Sequence, residues 1–337
     1  MSGSDGRRVT VADVAAEAGV SVATVSKVLN GRSDVAPLTR SHVESILAER
    51  GYVRTRRTTR PRRRGGLIEI LFNDAGTPWA AEMIRGAVDA ARVDGVAPVV
   101  STLGEGSRRV QEWLDGVAAR RPRGVVLALS DFSPADQRRV RRLGVPVVLV
   151  DPVGDFDADV PSIGSGNWGG GIAATRHLIE LGHRRIAAVT GPMRYLCSQA
   201  RLAGYRAALE RAGLAFDAEL VAHGDFHHAS GLAAALELLD QPDRPTAVFA
   251  GNDEQAAGVY AAAQQRGLRI PEDISVVGFD DVPMARWLLP PLTTVRQPIA
   301  ELAARAVRTL LGDRTEPQEG RIELPTSLVV RNSTGPR

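Results

Sequence analysis

The sequence predicts two parts of different fold class: an all-α N-terminal head, and an α/β body of two doubly wound parallel-sheet lobes. Residues 9–29 have the apolar spacing of two short helices joined by a glycine turn. From Leu67 onward, short apolar runs alternate with helical stretches, which is typical of parallel sheets covered by helices. The body, of about 270 residues, is larger than one hydrophobic core usually serves, so we expect two lobes.

The charge of the chain divides in the same place. The 337 residues carry a net charge of +3. Residues 1–64 contain thirteen Arg or Lys against six Asp or Glu, whereas the remaining residues contain 29 basic and 33 acidic ones. A basic head on a mildly acidic body favours a polyanion-binding segment attached to a part with another task. A solvated basic tail is the alternative.

Composition also sets expectations about location and cofactors. No apolar run approaches the roughly 18 residues of a membrane span, and the N-terminus lacks the apolar core of a secretory signal. Cys197 is the only cysteine, so no internal disulfide can form. The adjacent His227 and His228 do not have the spacing of a helical metal pair. We therefore expect a cytoplasmic protein without membrane contact, metal or cofactor.

The first helix is predicted to begin at Thr10. Thr10 is a favourable N-cap residue, and Asp13 stands three positions later as the acid of a capping box. Gly19 ends the helix. Its apolar face follows the i, i+3, i+4, i+7 spacing and consists of Val11, Val14, Ala15 and Ala18.

The second helix is predicted to follow a turn of only a few residues and to start at Ser21, its N-cap. A third helix begins near Pro37, which suits a first helical turn. The inward faces of these two helices comprise Val25, Val28 and Leu29, and Val43, Ile46 and Leu47. A short helix, a glycine turn and a second short helix form the helix-turn-helix pattern.

The outward face of the second helix has the chemistry of a nucleic-acid surface. Small hydroxyl residues near a helix N-terminus can bind phosphate oxygens. Val22 and Ala23 suit thymine methyl groups, and Lys27, the only lysine of the chain, can donate to guanine. Chance placement of these side chains on a solvated face is the alternative.

The segments "VTVADVAAEAGVSVATVSKVLNG" and "TRSHVESILAERGY" resemble the head of the lactose-repressor (LacI/GalR) family of bacterial transcription regulators. The resemblance implies a homodimer that binds a near-palindromic double-stranded operator. Carried over residue by residue, it implies contacts to the DNA backbone from Thr10, Ser21, Thr24, Ser26 and Asn30. It implies contacts to bases from Val22, Ala23 and Lys27.

The body contains eight apolar runs that predict strands. They are residues 67–72, 97–101, 124–129, 145–150, 185–191, 246–251, 275–281 and 327–330. Helical stretches between them include 79–94, 133–143, 196–213, 253–267 and 298–311. The predicted organisation is a head (1–53), a linker (54–66) and a body (67–337). Within the body, lobe 1 comprises 67–163 and 292–328, and lobe 2 comprises 164–291.

Ligands of such sheets bind outside the carboxyl ends of the strands, so the residues that follow the apolar runs are candidate contacts. These residues are amides and carboxylates, which can bridge neighbouring hydroxyl groups of a sugar: Asn73, Asp74, Asn252, Asp253, Asp280 and Asp281. Aromatic rings, which can pack on a sugar ring, lie near the same ends: Trp79, Trp168, Phe226 and Trp287. For each single ring, core packing is an equal alternative.

The family resemblance extends to "HLIELGHRRIAAVTGP", "RLAGYRAAL", "SVVGFDD" and "PPLTTVRQP". It implies a body like a periplasmic sugar-binding protein, with the effector between the lobes. The positions it assigns to the effector are Arg201, Phe226, Asn252, Asp280 and Gln297. The predicted effector set also includes Asn73, Trp79 and Trp168. The chain departs from the family at "IGSGNWGGG", where many members have an Asp-Asn pair and this sequence has Ser165 and Gly166.

Two other functions compete with a regulator. "GSGNWG" (164–169) matches the G-x-G-x-x-G loop of NAD-dependent enzymes, but the next strand ends in Thr190–Gly191, where an acid should meet the ribose. We therefore interpret these glycines as a tight lobe crossing and expect no enzyme. A transport sugar-binding protein would lack the head. The prediction is a repressor whose operator affinity is changed by a small sugar or oligosaccharide. A corepressor-type regulator with a non-sugar ligand is the alternative.

The linker, "RTRRTTRPRRRGG", is the part least similar to the family. Many members have a short hinge helix here with a leucine that enters the minor groove, whereas this chain has Pro61 at about that position. Proline disfavours helix at the residue before it. We expect an extended arginine arm in which Arg56 and Arg57 contact DNA.

Overall fold

The computed structural model describes residues 10–29, 35–50, 66–104, 107–128, 134–152, 160–313 and 320–337. The chain divides into two compact units, Met1–Pro61 and Arg62–Arg337. Asn30, Arg56 and Arg57, three of the predicted DNA contacts, lie outside the described residues. No helix in the described ranges combines the length and the apolar character that crossing a membrane requires.

The head contains three described helices, α1 (Val11–Glu17), α2 (Val22–Leu29) and α3 (Pro37–Glu49). The capping box is confirmed: Asp13 N donates to Thr10 Oγ1 at 3.2 Å, and Thr10 N donates to Asp13 Oδ2 at 2.8 Å. Gly19 follows α1 with a φ of 65°, a left-handed conformation that glycine adopts without strain.

The core of the head contains most of the positions that the apolar spacing predicted, together with Val35 and Val20, which it did not predict. Val14, Val25 and Val43, one from each helix, are fully buried. Glu17 and Arg50 join the end of α1 to the end of α3, because Arg50 Nη2 lies 2.9 Å from Glu17 Oε1. The head is thus a three-helix unit with its own core.

The body contains twelve described strands. They are β1 (Leu67–Phe72), β2 (Ala97–Thr102), β3 (Val125–Ala128), β4 (Val147–Val150), β5 (Ser162–Ser165), β6 (Ile186–Thr190), β7 (Val221–His223), β8 (Ala247–Ala250), β9 (Ser275–Asp280), β10 (Thr293–Arg296), β11 (Arg321–Leu324) and β12 (Ser327–Val329). Its described helices are α4 (Pro78–Val93), α5 (Ser107–Arg120), α6 (Pro134–Arg142), α7 (Asn167–Glu180), α8 (Leu196–Arg211), α9 (His228–Leu239), α10 (Asp253–Gln265) and α11 (Ile299–Leu310).

The strands form two six-stranded sheets. The first has the order β11-β5-β4-β3-β1-β2 and is parallel throughout. The second has the order β12-β10-β9-β8-β6-β7, in which only the edge pair β10–β12 is antiparallel. Each sheet carries an apolar core on both faces, so the predicted pair of doubly wound lobes is confirmed.

Three segments cross between the sheets: 165–167, 296–299 and 324–327. Gly166 N donates to Leu324 O at 2.9 Å, and Thr326 Oγ1 donates to Gly166 O at 3.1 Å, so two of the crossings are bonded to each other. Strand β5 belongs to the first sheet and helix α7 to the second lobe. The G-x-G-x-x-G segment is therefore the predicted lobe crossing, and not the turn of a unit within one sheet.

The predicted lobe boundaries are wrong at two places. Residues 292–328 were expected in lobe 1, but β10 and β12 pair within the second sheet, and only α11 and β11 return to the first. Gly164 and Ser165 were expected in lobe 2, but they lie in β5 of the first sheet. The apolar pattern identifies a strand but does not identify its hydrogen-bonded neighbour, which decides the lobe.

Candidate functional site

A cleft lies at the carboxyl ends of strands from both sheets. Six of the eight predicted effector residues line it: Asn73, Trp79, Arg201, Phe226, Asn252 and Asp280. They come from five different connections in the two lobes, which the parallel topology brings to one place.

Arg201, on α8, is the buried cation of the cleft. Its Nε donates to Asn167 Oδ1 at 2.8 Å, and its Nη1 donates to Gly251 O at 2.6 Å. The guanidinium also lies over the ring of Phe279, 3.8 Å from the centroid. These contacts fix the plane of the guanidinium, so that its remaining donors have a defined direction.

Asp280, at the end of β9, faces this cation. Its Oδ1 lies 3.7 Å from Arg201 Nη2 and accepts from Gln297 Nε2 at 2.5 Å. Burial raises the pKa of Asp280 to about 6, although Arg201 and the Gln297 hydrogen bond act in the opposite direction. The residue has a φ of 113°, which few non-glycine residues adopt. Such strain persists only where surrounding contacts hold the backbone, as is common at binding sites.

Aromatic side chains form the apolar walls. Tyr195 and Phe226 are stacked with centroids 6.1 Å apart and planes at 16°. Trp79 is buried at the start of α4 and meets the ring of Phe72 edge-on. An apolar wall beside charged and amide groups suits a ligand with an apolar face and many hydroxyl groups, as a saccharide has.

Contacts between the lobes close the rim of the cleft. Asn73 Nδ2, from the first lobe, donates to Tyr195 Oη of the second lobe at 3.1 Å. His227 lies between carboxylates of both lobes, with Nε2 3.8 Å from Asp74 Oδ2 and Nδ1 3.4 Å from Glu254 Oε1. The two lobes are thus held together at the cleft by polar pairs that a ligand can replace.

Four residues that were not predicted as effector contacts also line the cleft: Asp151, Tyr195, Cys197 and Glu254. Asp151 is buried and accepts from Ser165 N at 3.3 Å. Burial raises the pKa of this carboxyl, while Arg201 lowers it. A signal was present, because Asp151 directly follows the apolar run 145–150 as Asn73 follows the run 67–72. Cys197 is buried, and burial raises the pKa of its thiol to about 11.

Two predicted effector residues lie elsewhere. Trp168 stands in the first turn of α7, is 47% exposed, and lines a neighbouring cavity beyond Asp151 and Cys197. Asn167, next to it, points inward to Arg201 instead. Gln297 is buried, at 4% exposure, and does not line the cleft, because its amide is bonded to Asp280 from behind. Gln297 therefore positions a cleft residue and Trp168 belongs to a different surface.

The second candidate site is the outer face of α2. Ser21, Val22, Ala23, Ser26 and Lys27 are exposed, and Thr24 is half-buried. Val22 leaves 52% of its surface to solvent, whereas Val25 and Val28 on the opposite face are buried. Ser21 Oγ accepts from Thr24 N at 3.1 Å and so caps the helix. Thr10 is exposed at the start of α1.

A helix-turn-helix head attached to a body with a polar cleft between two parallel-sheet lobes defines a ligand-responsive DNA-binding regulator. Two family models match the chain: "Bacterial regulatory proteins, lacI family" over residues 10–55, and "Periplasmic binding protein-like domain" over residues 175–334. The ribose operon repressor of Escherichia coli (strain K12) is 36% identical over 332 residues, which are 96% of this chain and 99% of that protein. The chain belongs to the LacI family of bacterial transcription regulators.

Solved structures of the family have the same architecture. A "transcriptional regulator CelR-cellobiose complex" has a TM-score of 0.73 at 36% identity and covers 97% of this chain and 100% of its own. A lac repressor dimer bound to operator and the anti-inducer ONPF has a TM-score of 0.71 at 31% identity, over 98% and 100% of the two chains. The predicted family and fold class are therefore confirmed.

Proposed function

We propose that this regulator is a homodimeric repressor that binds a near-palindromic operator and is released from it by a neutral saccharide in the cleft. The observation that carries the proposal is the fixed pair of Arg201 and Asp280 facing the stacked rings of Tyr195 and Phe226. Relatives support the effector class, since one is named for a ribose operon and another forms a complex with cellobiose. A dimer of a relative bound to operator supports the assembly.

The charges of the cleft support a neutral effector over an anionic one. Among the described residues that line it, five are carboxyl-bearing: Asp74, Asp151, Asp225, Glu254 and Asp280. The guanidinium of Arg201 is the one arginine or lysine cation in that set, and three groups already surround it. Hydroxyl groups of a saccharide can donate to these carboxylates, whereas a phosphate or a carboxylate on the ligand would be repelled.

The exposed face of α2 in the head supports the proposal that this helix contacts DNA bases. Its exposed N-terminal half combines hydroxyl groups, two apolar side chains and Lys27, which suits an approach to base edges in the major groove. We propose base contacts from Val22, Ala23 and Lys27, and backbone contacts from Thr10, Ser21, Thr24 and Ser26. The contacts from Asn30, Arg56 and Arg57 rest on the sequence alone.

The coupling follows from the polar pairs across the cleft. A saccharide that accepts from the Asn73 amide and donates to the Asp280 carboxylate replaces contacts such as Asn73–Tyr195 with contacts of its own. The bonded crossing segments give the lobes a defined path of relative movement. By linkage, operator DNA must then weaken saccharide binding by the same factor by which the saccharide weakens operator binding.

The decisive experiment is a titration of the full-length protein in the presence and absence of operator. The operator is first selected from random duplexes with the protein itself, and neutral mono- and disaccharides are then screened by the change in operator affinity. We expect one neutral saccharide to weaken operator binding, and its phosphorylated and carboxylated derivatives to have no effect. A protein that selects DNA but responds to no saccharide contradicts the effector assignment.

The same titration tests the corepressor alternative, because a corepressor would raise operator affinity and an inducer would lower it.

We also infer that the effector is bound without conversion, as expected of a regulator of chromosomal DNA in the cytoplasm. Recovery of the saccharide unchanged after prolonged incubation, followed by NMR, checks this point. A product that accumulates in proportion to protein would contradict it.

A further inference from the structure

The first lobe has opposite charges at the two edges of its sheet. The carboxyl ends of the strands face the cleft with Asp74, Asp151 and their acidic neighbours. Helices α4, α5, α6 and α11 each return the chain toward the amino ends of the strands, so their last turns lie at the other edge. We term this edge, at the amino ends of the strands, the amino edge.

The amino edge is basic. Its last helical turns and following connections contain eight arginines: Arg92, Arg120, Arg121, Arg123, Arg139, Arg141, Arg142 and Arg308. In the same turns and connections, the described acidic residues are Asp94 and Asp313. Four of these arginines have carboxylate partners: Arg92 with Asp89, Arg120 with the buried Glu69, Arg139 with Asp136 and Arg308 with Glu301.

Helix α6 carries the most exposed part of this charge. Arg138, Arg139 and Arg142 are all exposed, while Val140 is fully buried against the sheet. Arg138 and Arg142 are four residues apart and so lie on one face of the helix. Arg139 pairs with Asp136 at 3.3 Å, and because the arginine side chain is 50% exposed, this ion pair is weak in water.

The chain enters the body at the same edge. Gly66 is followed directly by Leu67, the first residue of β1 and thus its amino end. The backbone N of Arg123, one of the arginines of the amino edge, donates to Leu67 O at 2.8 Å. The preceding thirteen residues, 54–66, are the arginine-rich linker to the helix-turn-helix head. The linker therefore joins the body at its basic edge.

We propose that the amino edge of the first lobe is a second DNA-binding surface, in which the α6 arginines contact phosphates of the operator duplex. This proposal rests on operator binding by the head, and it adds a sequence-independent component from the body. Arginine is the side chain best suited to bind phosphate oxygens with two donors. Where the body lies within about 8 Å of the duplex, the Debye length near physiological salt, its net negative charge would otherwise repel the DNA.

The test compares operator binding by three full-length variants over a range of salt concentrations. The duplex contains the operator selected with the wild-type protein and ten base pairs of flanking DNA on each side. In the first variant Arg138, Arg139 and Arg142 are replaced by alanine, and in the second by lysine. The third is a control for net charge, with Arg176, Arg206 and Arg211 of the second lobe replaced by alanine.

We expect the α6 alanine variant to bind at least tenfold more weakly at low salt. Its plot of log affinity against log salt should be shallower by about 2 to 3 per subunit, since each lost phosphate contact contributes about 0.9. The lysine variant should keep most of the slope, and the second-lobe control should match wild type. Phosphate ethylation interference should identify phosphates that matter to wild type and not to the alanine variant.

Equal affinities and equal salt slopes for wild type and the α6 alanine variant would overturn the proposal. If these arginines only stabilise the C-terminal end of α6 through its helix dipole, the alanine variant should keep its DNA binding and have a lower unfolding temperature. An equal loss in the second-lobe control would also overturn it, because the effect would then be one of net charge. If wild type selects no DNA at all, the proposed function fails, which is a different outcome.

Discussion

The head and the interlobe cleft are built from contacts of very different range. Thr10 and Asp13, which start the first helix of the head, are three residues apart in the chain. In the cleft, Arg201 bonds Asn167 and Gly251, which are 34 and 50 residues away, and Asn73 bonds Tyr195 across 122 residues. The head can therefore form from local sequence, whereas the cleft exists only when both lobes are complete.

This difference predicts that the two sites can be damaged separately. A variant of the cleft should lose the effector response and still bind operator, and a variant of α2 should do the reverse. Coupling between the sites is then measured by how far one change alters the other site's affinity.

The largest expected effect is that of Arg201→Lys. An ammonium group cannot bond Asn167, Gly251 and a ligand with the planar geometry of the guanidinium. We expect saccharide affinity to fall by about 100-fold, the upper end of what lost charged hydrogen bonds cost. Isothermal titration measures the saccharide, and operator affinity without saccharide should stay within about twofold. Arg211→Lys, on the exposed end of the same helix, is the matched control. A large loss of operator affinity in Arg201→Lys would show that the head depends on the cleft.

Lys27→Ala is the corresponding change in the head. Loss of a base contact costs about 1–3 kcal/mol of discrimination, so binding to the selected operator should weaken by about tenfold or more. Binding to random duplexes should change much less, and saccharide affinity should not change. Competition with both DNAs in a fluorescence-anisotropy assay separates these quantities. If operator and random DNA lose affinity equally, Lys27 contacts the backbone and does not read a base.

The same contrast in range explains what the sequence predicted. The caps and apolar faces of α1 to α3 depend on residues within one or two helical turns, and they were predicted nearly to the residue. Strands β5 ("SIGS"), β10 ("TTVR") and β11 ("RIEL") have no apolar run and were not predicted as strands. Their burial or pairing depends on neighbours far along the chain. For example, buried Thr294 donates to Asp253 at 2.5 Å.

The cleft residues were predicted as the residues that follow the apolar runs. This rule identifies some of them and not others. It found Asn73, Asn252 and Asp280, because each follows a strong apolar run. It did not predict that Trp168 lines the neighbouring cavity, because the direction of a side chain in the first turn of α7 is not encoded in the apolar pattern. Gln297 was predicted to contact the effector, but its amide is bonded to Asp280 and does not line the cleft.

A change of pH should act on the cleft through Asp280. Burial raises the pKa of Asp280 to about 6, so this carboxylate loses its charge as the pH falls through 6. A hydroxyl group of the ligand can donate to the ionised form, and saccharide affinity should therefore drop by up to about tenfold per pH unit below 6. Titrations between pH 7.5 and 5 measure the drop. Asp280→Asn should bind weakly with a flat pH profile over this range. An unchanged slope in that variant would assign the titration to another group, such as Asp151.

The smallest expected effect lies in the capping box of the head. Asp13→Ala removes the acceptor for Thr10 N and Thr10 Oγ1, which lie 2.8 and 2.7 Å from Asp13 Oδ2. Loss of a cap costs about 1 kcal/mol, so hydrogen exchange of the amides in residues 10–29 should accelerate about fivefold. Exchange in α8 and α10, which surround the cleft, should not change. Ser45→Ala is a suitable control, because its hydroxyl bonds only the exposed Glu49 in the described part of the head, at 2.8 Å, and lies away from any helix end. If exchange accelerated in the cleft helices as well, the head and the body would unfold as one unit, and the distinction between a local head and a non-local cleft would fail.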